Sequence, residues 1–146
     1  MPLFEWNEIY GTGIGRIDEQ HQRLFALVNN VHQAMKEGKG KEILDATLKE
    51  LLEYVFYHFN EEEELMQKYS FSDFHIHRTE HDNLTKNLLE LRGKFKDGNT
   101  FITSELISFL KSWLTIHILQ SDMKFSKYMK TIQVQQNQMG VNKNAG

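Results

Sequence analysis

Apolar residues recur along this chain at intervals of three and four, and no stretch sustains the alternation of a strand. A first stripe reads Leu24, Phe25, Val28, Val31 and Met35, with His21 and His32 on the same face. Asp18 is expected as its N-cap, and the glycine-rich "EGKG" at 37–40 ends it. A second stripe reads Leu44, Leu48, Leu51, Leu52, Val55, Phe59, Leu65, Met66 and Tyr69. "SFSDF" at 70–74 is the next turn, with Ser72 or Asp73 as the expected cap. A third stripe carries His77, His81, Leu84, Leu88, Leu91 and Phe95, and "KDGNT" at 96–100 is expected to break it. The fourth reads Ile102, Leu106, Phe109, Leu110, Trp113, Leu114, Ile118, Phe125 and Met129. Long helices with short connections make sequence neighbours antiparallel. The expected fold is therefore all-α, an up-down-up-down four-helix bundle preceded by an irregular arm over 1–17, onto which Phe4 and Trp6 tack. The bundle domain is expected over 1–132, with a frayed polar tail over 133–146.

Helical phase separates the residues of the acidic run "HFNEEEEL" at 58–65. Each residue turns a helix by ~100°, so Glu62 lies ~40° around from His58 and one turn along. Leu51, Val55, Leu65 and Tyr69 share that face, Glu61 borders it, and Glu63 and Glu64 turn toward solvent. A carboxylate buried without a partner is costly, which asks for something between His58 and Glu62 that wants both an imidazole and a carboxylate. His77 and His81 are also four apart on the core stripe. His21 and His117 lie on the core faces of the first and fourth segments. Asp122 is five residues after His117, ~140° around an ideal helix. A local widening of the helix or a reaching side chain is needed to bring it in.

Depth along the bundle brings these positions together. His21 is near the start of helix one, His58 and Glu62 near the end of helix two, His77 and His81 near the start of helix three, and His117 and Asp122 toward the end of helix four. In an up-down-up-down bundle all seven share one layer. A lone core histidine is usually a packing residue, and a single His-x-x-x-Glu is often a surface pair. A layer of imidazoles and carboxylates without metal would instead need many mutual hydrogen bonds in an apolar setting. His32 lies eleven residues from His21, roughly 16 Å along the axis, and His75 falls in the turn. Both are excluded as ligands.

Composition narrows the chemistry. The chain has 146 residues, a net charge of -3 and no cysteine. It therefore has no disulfide or thiolate site, no basic footprint for nucleic acid and no polybasic membrane patch. No apolar run approaches membrane-spanning length and the N-terminus lacks a signal-peptide pattern, so a cytoplasmic location is expected. Seven donors exceed the needs of one ion, whereas two ions sharing bridging carboxylates would use them. Nitrogen and oxygen donors suit iron, manganese or zinc.

The stretches "IDEQHQRLF" (17–25), "HFNEEEELM" (58–66), "HRTEH" (77–81) and "WLTIHILQSD" (113–122) closely resemble the hemerythrins, in the form of the single-domain bacteriohemerythrins. The resemblance covers most of the chain, and all seven ligand positions match in order and spacing. It implies two non-heme irons with a solvent-derived oxygen bridge. His77, His81 and His117 would hold one iron, His21 and His58 the other with an open position, and Glu62 and Asp122 would bridge them. The open position would bind dioxygen reversibly, and the family's pocket positions map onto Leu24, Phe59, Trp113, Leu114 and Ile118. Those five residues would also serve as ordinary core.

A dioxygen-binding protein for carriage, storage or delivery is the expected function, and not an enzyme. One alternative is an oxygen or redox sensor acting through a partner protein. Another is a peroxide-reactive, nitric-oxide-reactive or iron-handling diiron protein. A third is a purely structural bundle with a metal.

Overall fold

The structure is a computed structural model describing residues 4–38, 40–96 and 102–144, with side-chain surroundings for 4–38, 40–95 and 105–135. All regular structure among the described residues is helical. A short 3-10 turn, Glu8–Tyr10, precedes α1 (Gly15–Lys36), α2 (Lys41–Lys68) and α3 (Phe74–Lys96). The fourth helix comprises α4 (Ile102–Ile116), a π-helical segment (His117–Asp122) and α5 (Met123–Asn144). α1 packs on α2, α2 on α3, α3 on α4, and α4 back on α1. The ion pair from Arg92, late in α3, to Asp45, early in α2, is one mark of the antiparallel order. This is the expected four-helix bundle. Among the described residues no helix is long and apolar enough to cross a membrane.

Local chemistry sets the boundaries, not always as expected. Helix α1 begins at Gly15, so the arm is shorter than 1–17 and Asp18 is not the N-cap. Asp18 sits in the first turn and reaches back. Its Oδ1 accepts from the Thr12 amide and hydroxyl, both at 2.7 Å, and its Oδ2 accepts from the Gly13 amide at 3.3 Å. It thus fixes the chain before the helix, where amides lack intrahelical partners. Helix α1 ends at Lys36, and Gly38 takes a positive φ of 65°, as the Gly-rich break requires. Ser70, at φ 54°, turns the chain between α2 and α3. Asp73 lies just before α3, and its carbonyl accepts from the His77 amide at 2.9 Å. Of the expected break at 96–100, Lys96 is the last residue of α3, and 97–100 lie outside the described residues. The tail expected to fray continues as helix to Asn144. Its Gln-rich sequence holds no proline, so no residue there forbids the helix.

Two apolar clusters form among the described residues of the bundle. The larger joins Leu24, Phe25, Val28, Leu51, Val55, Phe59, Leu88, Leu110, Trp113, Leu114 and Ile118. The arm docks onto it through Phe25, whose ring lies 4.9 Å from Phe4, 5.5 Å from Trp6 and 5.0 Å from Tyr10. The smaller cluster, Met66, Phe71, Phe74 and Phe125, closes the end of the bundle near the α2–α3 turn. Met66 follows Glu62 by one turn and Phe74 precedes His77 by three residues, so the polar layer is sealed between two apolar ones.

Candidate metal centre

Each helix delivers part of the polar layer from its core stripe. His21 comes from α1, His58 and Glu62 from α2, His77 and His81 from α3, and His117 and Asp122 from the π segment. The π segment spans the very residues whose spacing was too wide for an α-helix, and it supplies the widening that brings Asp122 inward. All seven side chains are buried, Glu62 and His21 completely. His32 is only half-buried and His75 is exposed, and neither joins the layer.

Every histidine of the layer turns Nε2 toward a carboxylate. Glu62 Oε1 lies 2.6 Å from His77 Nε2 and 3.3 Å from His81 Nε2. Its other oxygen lies 3.2 Å from His58 Nε2 and 3.7 Å from His21 Nε2. Asp122 divides in the same way: Oδ1 faces His77 at 3.1 Å and His117 at 3.2 Å, whereas Oδ2 faces His21 at 3.0 Å. Donor atoms of Glu62, His77, His81, His117 and Asp122 all lie within 4.8 Å of one another, as do those of His21, His58, Glu62 and Asp122. Among the described residues there are thus two donor groups, and the same two carboxylates belong to both.

The layer does not satisfy itself. Both His21 ring nitrogens, Glu62 Oε2 and both Asp122 oxygens are buried without a hydrogen-bond partner. His81 Nε2 and His117 Nε2 face each other at 3.1 Å, so two lone pairs collide unless a proton or a cation lies between them. Orphaned buried atoms are costly, and cations within the layer would satisfy its inward-facing nitrogens and carboxylate oxygens. The residues present therefore fit two metal ions.

Electrostatics point the same way. Burial by itself lowers the His21 imidazole, but Asp122 and Glu62 outweigh it and raise the pKa to about 9. Burial likewise opposes charge at His77 and His117, and the same carboxylates raise them to about 9 and about 10. At His58 burial prevails over Glu62 and the pKa falls. Burial pushes Glu62 up, yet the four histidines around it hold it well below the usual carboxylate range. Asp122 is pushed up by burial and by Glu62, and His117 and His21 bring it well below that range. This is a nest of anions awaiting positive charge, which protons supply when metal does not.

Around the donors stand residues the helical wheel did not single out. Gln20 is buried, and its Oε1 lies 2.7 Å from His58 Nδ1. Its spacing to Leu24 and Leu27 put it on the apolar stripe, which was a usable signal. Glu80 Oε2 lies 3.3 Å from His117 Nδ1 and accepts from the Ser121 hydroxyl. Glu63 departs from expectation. It is not a free solvent residue, because its side chain is only 19% exposed and stands 3.5 Å from His81 Nδ1 and 3.7 Å from Arg78. Glu61, at the stripe's edge as expected, pairs with Arg16. These contacts cross between helices, so no single helical wheel reveals them.

The apolar positions Leu24, Phe59, Trp113, Leu114 and Ile118 are all buried in the larger cluster. Phe59 is flat against His81, with ring centroids 3.7 Å apart and planes inclined by 3°, and it meets Trp113 edge-on at 5.8 Å. It therefore forms a direct boundary between the polar layer and the apolar core.

Comparison with known proteins places this architecture. The hemerythrin HHE cation binding domain matches residues 12–128, a span that contains every member of the layer. The chain is 36% identical over 126 residues to a bacteriohemerythrin of Methylococcus capsulatus, covering 84% of this chain and 93% of the relative. It is 35% identical over 122 residues to a hemerythrin-like protein of Naegleria gruberi, covering 84% and 90%. A crystal structure of wild-type hemerythrin superposes with a TM-score of 0.79 at 32% identity, covering 86% of this chain and 96% of the other. The hemerythrin domain implies a non-heme diiron centre, and the paired donor groups suit it. Sequence, fold and polar layer agree, and the chain belongs to the hemerythrin family.

Proposed function

We propose that this chain binds dioxygen reversibly, with His77, His81 and His117 holding one iron, His21 and His58 the other, and Glu62 and Asp122 shared between them. The observation that carries this reading is the unequal donor count: one group offers three histidines and the other two, beside the same carboxylates. The His21–His58 side is therefore one donor short and can admit a small molecule. Two irons, when bound, supply the two electrons that dioxygen takes up on binding.

The remaining work falls to the protein. Glu62 and Asp122 offset the positive charge in a layer cut off from water. Gln20 holds the His58 ring by its Nδ1, leaving Nε2 toward the centre. Leu24, Phe59, Trp113, Leu114 and Ile118 line the pocket and exclude water. Their one polar side-chain atom, Trp113 Nε1, is buried without a partner. None of the five can take or give a proton as a catalytic acid or base, which favours binding over turnover.

The test is to reduce the iron-loaded protein anaerobically, admit oxygen, and then remove it. The visible spectrum should change on oxygenation and return on deoxygenation over repeated cycles. Irreversible oxidation, or sustained consumption of peroxide or nitric oxide, would replace this reading with an enzymatic one.

A further inference from the structure

The fourth helix leaves one donor of the layer close to the surface. His117 is the most exposed of the seven, at 7%. It forms, with Trp113, part of the wall of a groove of about 400 Å³ between α3 and the fourth helix. A second, smaller cavity of about 50 Å³ has His77 in its lining. Glu80 and Ser121 line both spaces. The two hollows thus share the hydrogen-bonded pair Glu80 and Ser121 in their walls.

We propose that Glu80, held by Ser121, is a positioning residue for the three-histidine side: it fixes the His117 ring with Nδ1 protonated and Nε2 inward, and ties the π segment to α3. The proposal rests on the reading of His117 as an iron ligand. Glu80 Oε2 stands 3.3 Å from His117 Nδ1, and the Ser121 hydroxyl donates to the same oxygen. Ser121 belongs to the π segment itself, between His117 and Asp122. A single carboxylate on α3 therefore orients one donor directly and anchors the irregular backbone that carries two.

The two sides of the centre are supported differently. His58 has the neutral amide of Gln20 at its Nδ1, whereas His117 has an anion. An anionic acceptor strengthens imidazole as a donor and favours the more highly charged metal state. A mere tie between helices would hold the fold without shifting the metal's redox balance. Glu80→Gln keeps the size of the side chain and an oxygen for Ser121 but removes the charge.

Iron affinity and reduction potential should be measured for the full chain and for Glu80→Gln, Ser121→Ala and Glu90→Gln. The last removes the same charge from an exposed position on α3. Glu80→Gln is expected to weaken iron retention about 10–100-fold against a chelator and to raise the reduction potential. Ser121→Ala should move both in the same direction by less, and Glu90→Gln should move neither. Ser121→Ala keeps the test available if Glu80→Gln fails to fold, since an unchanged potential there would overturn the anchoring role. Two irons in the native chain with unchanged affinity and potential in Glu80→Gln would overturn this proposal alone. A native chain that takes up no iron would overturn the ligand reading, and this proposal with it.

Discussion

Helix α2 and the fourth helix each present one histidine and one carboxylate to the same layer, by different backbones. On α2 the pair is His58 and Glu62, four residues apart, and the helix is regular from Lys41 to Lys68. On the fourth helix the pair is His117 and Asp122, five apart, and the backbone opens into a π segment over those same residues. Regular spacing turns a pair by ~40°, whereas five α-helical residues turn it by ~140°. The wider turn removes that excess and brings both side chains to the core. A single-turn π insertion in a helix often marks a functional site, and here its bounds coincide with two members of the donor layer.

This contrast can be broken by substitution. The largest effect is expected from Glu62→Ala, which removes a carboxylate shared by both donor groups. Iron measured per chain should fall from two to nearly none. Deleting Leu119, an outward residue of the π segment, should restore α-helical spacing. That variant should lose most of its iron affinity while the metal-free protein keeps its helicity and melts no lower by circular dichroism. A large loss of helicity would show that the π segment stabilises the fold rather than serving the site.

Acidity should sharpen the same picture. His21, His77 and His117 are raised to about 9, 9 and 10, so the stability they contribute is full below about 6.5 and lost as pH rises through those values. Glu62 and Asp122 are depressed, so their contribution is present above about 4 and lost on acidification. His58, lowered by burial, opposes folding as pH falls below about 6.5. The metal-free protein should therefore melt about 5–10 °C lower at pH 10 than at pH 6.5, by calorimetry. Iron should largely abolish that alkaline loss, because metal then replaces the protons. Iron loading at neutral pH should also release protons, measurable in weakly buffered solution.

The smallest effects divide the acidic run itself. Glu63→Gln should lower iron retention only a few-fold, because Glu63 approaches His81 Nδ1 without hydrogen-bond geometry. Glu64→Gln, on the exposed face, should change stability by less than about 0.5 kcal/mol and leave iron binding unaltered. Equal responses from Glu62, Glu63 and Glu64 would refute the helical phase on which the layer rests.

The four helices and the members of the donor layer were legible because both follow from period and depth. Glu62 stands apart from its acidic neighbours by phase alone, and His32 drops out by distance along the axis. The five-residue spacing of His117 and Asp122 even stated the need for a widened turn. Less was legible where a side chain reaches beyond its own helix. Asp18 looked like a cap but binds the chain ahead of α1, and Gln20 and Glu80 act on histidines of neighbouring helices. Glu63 looked free because the wheel of α2 carries no information about His81 on α3. The polar end of the chain was expected to fray because it lacks an apolar period, yet α5 runs to Asn144.

The most direct test of the account is diffraction from iron-loaded crystals at the iron absorption edge. Two anomalous peaks should appear in the layer between the apolar clusters. One should contact His77, His81 and His117, the other His21 and His58, with Glu62 and Asp122 touching both. A single peak, or iron bound away from these residues, would contradict it.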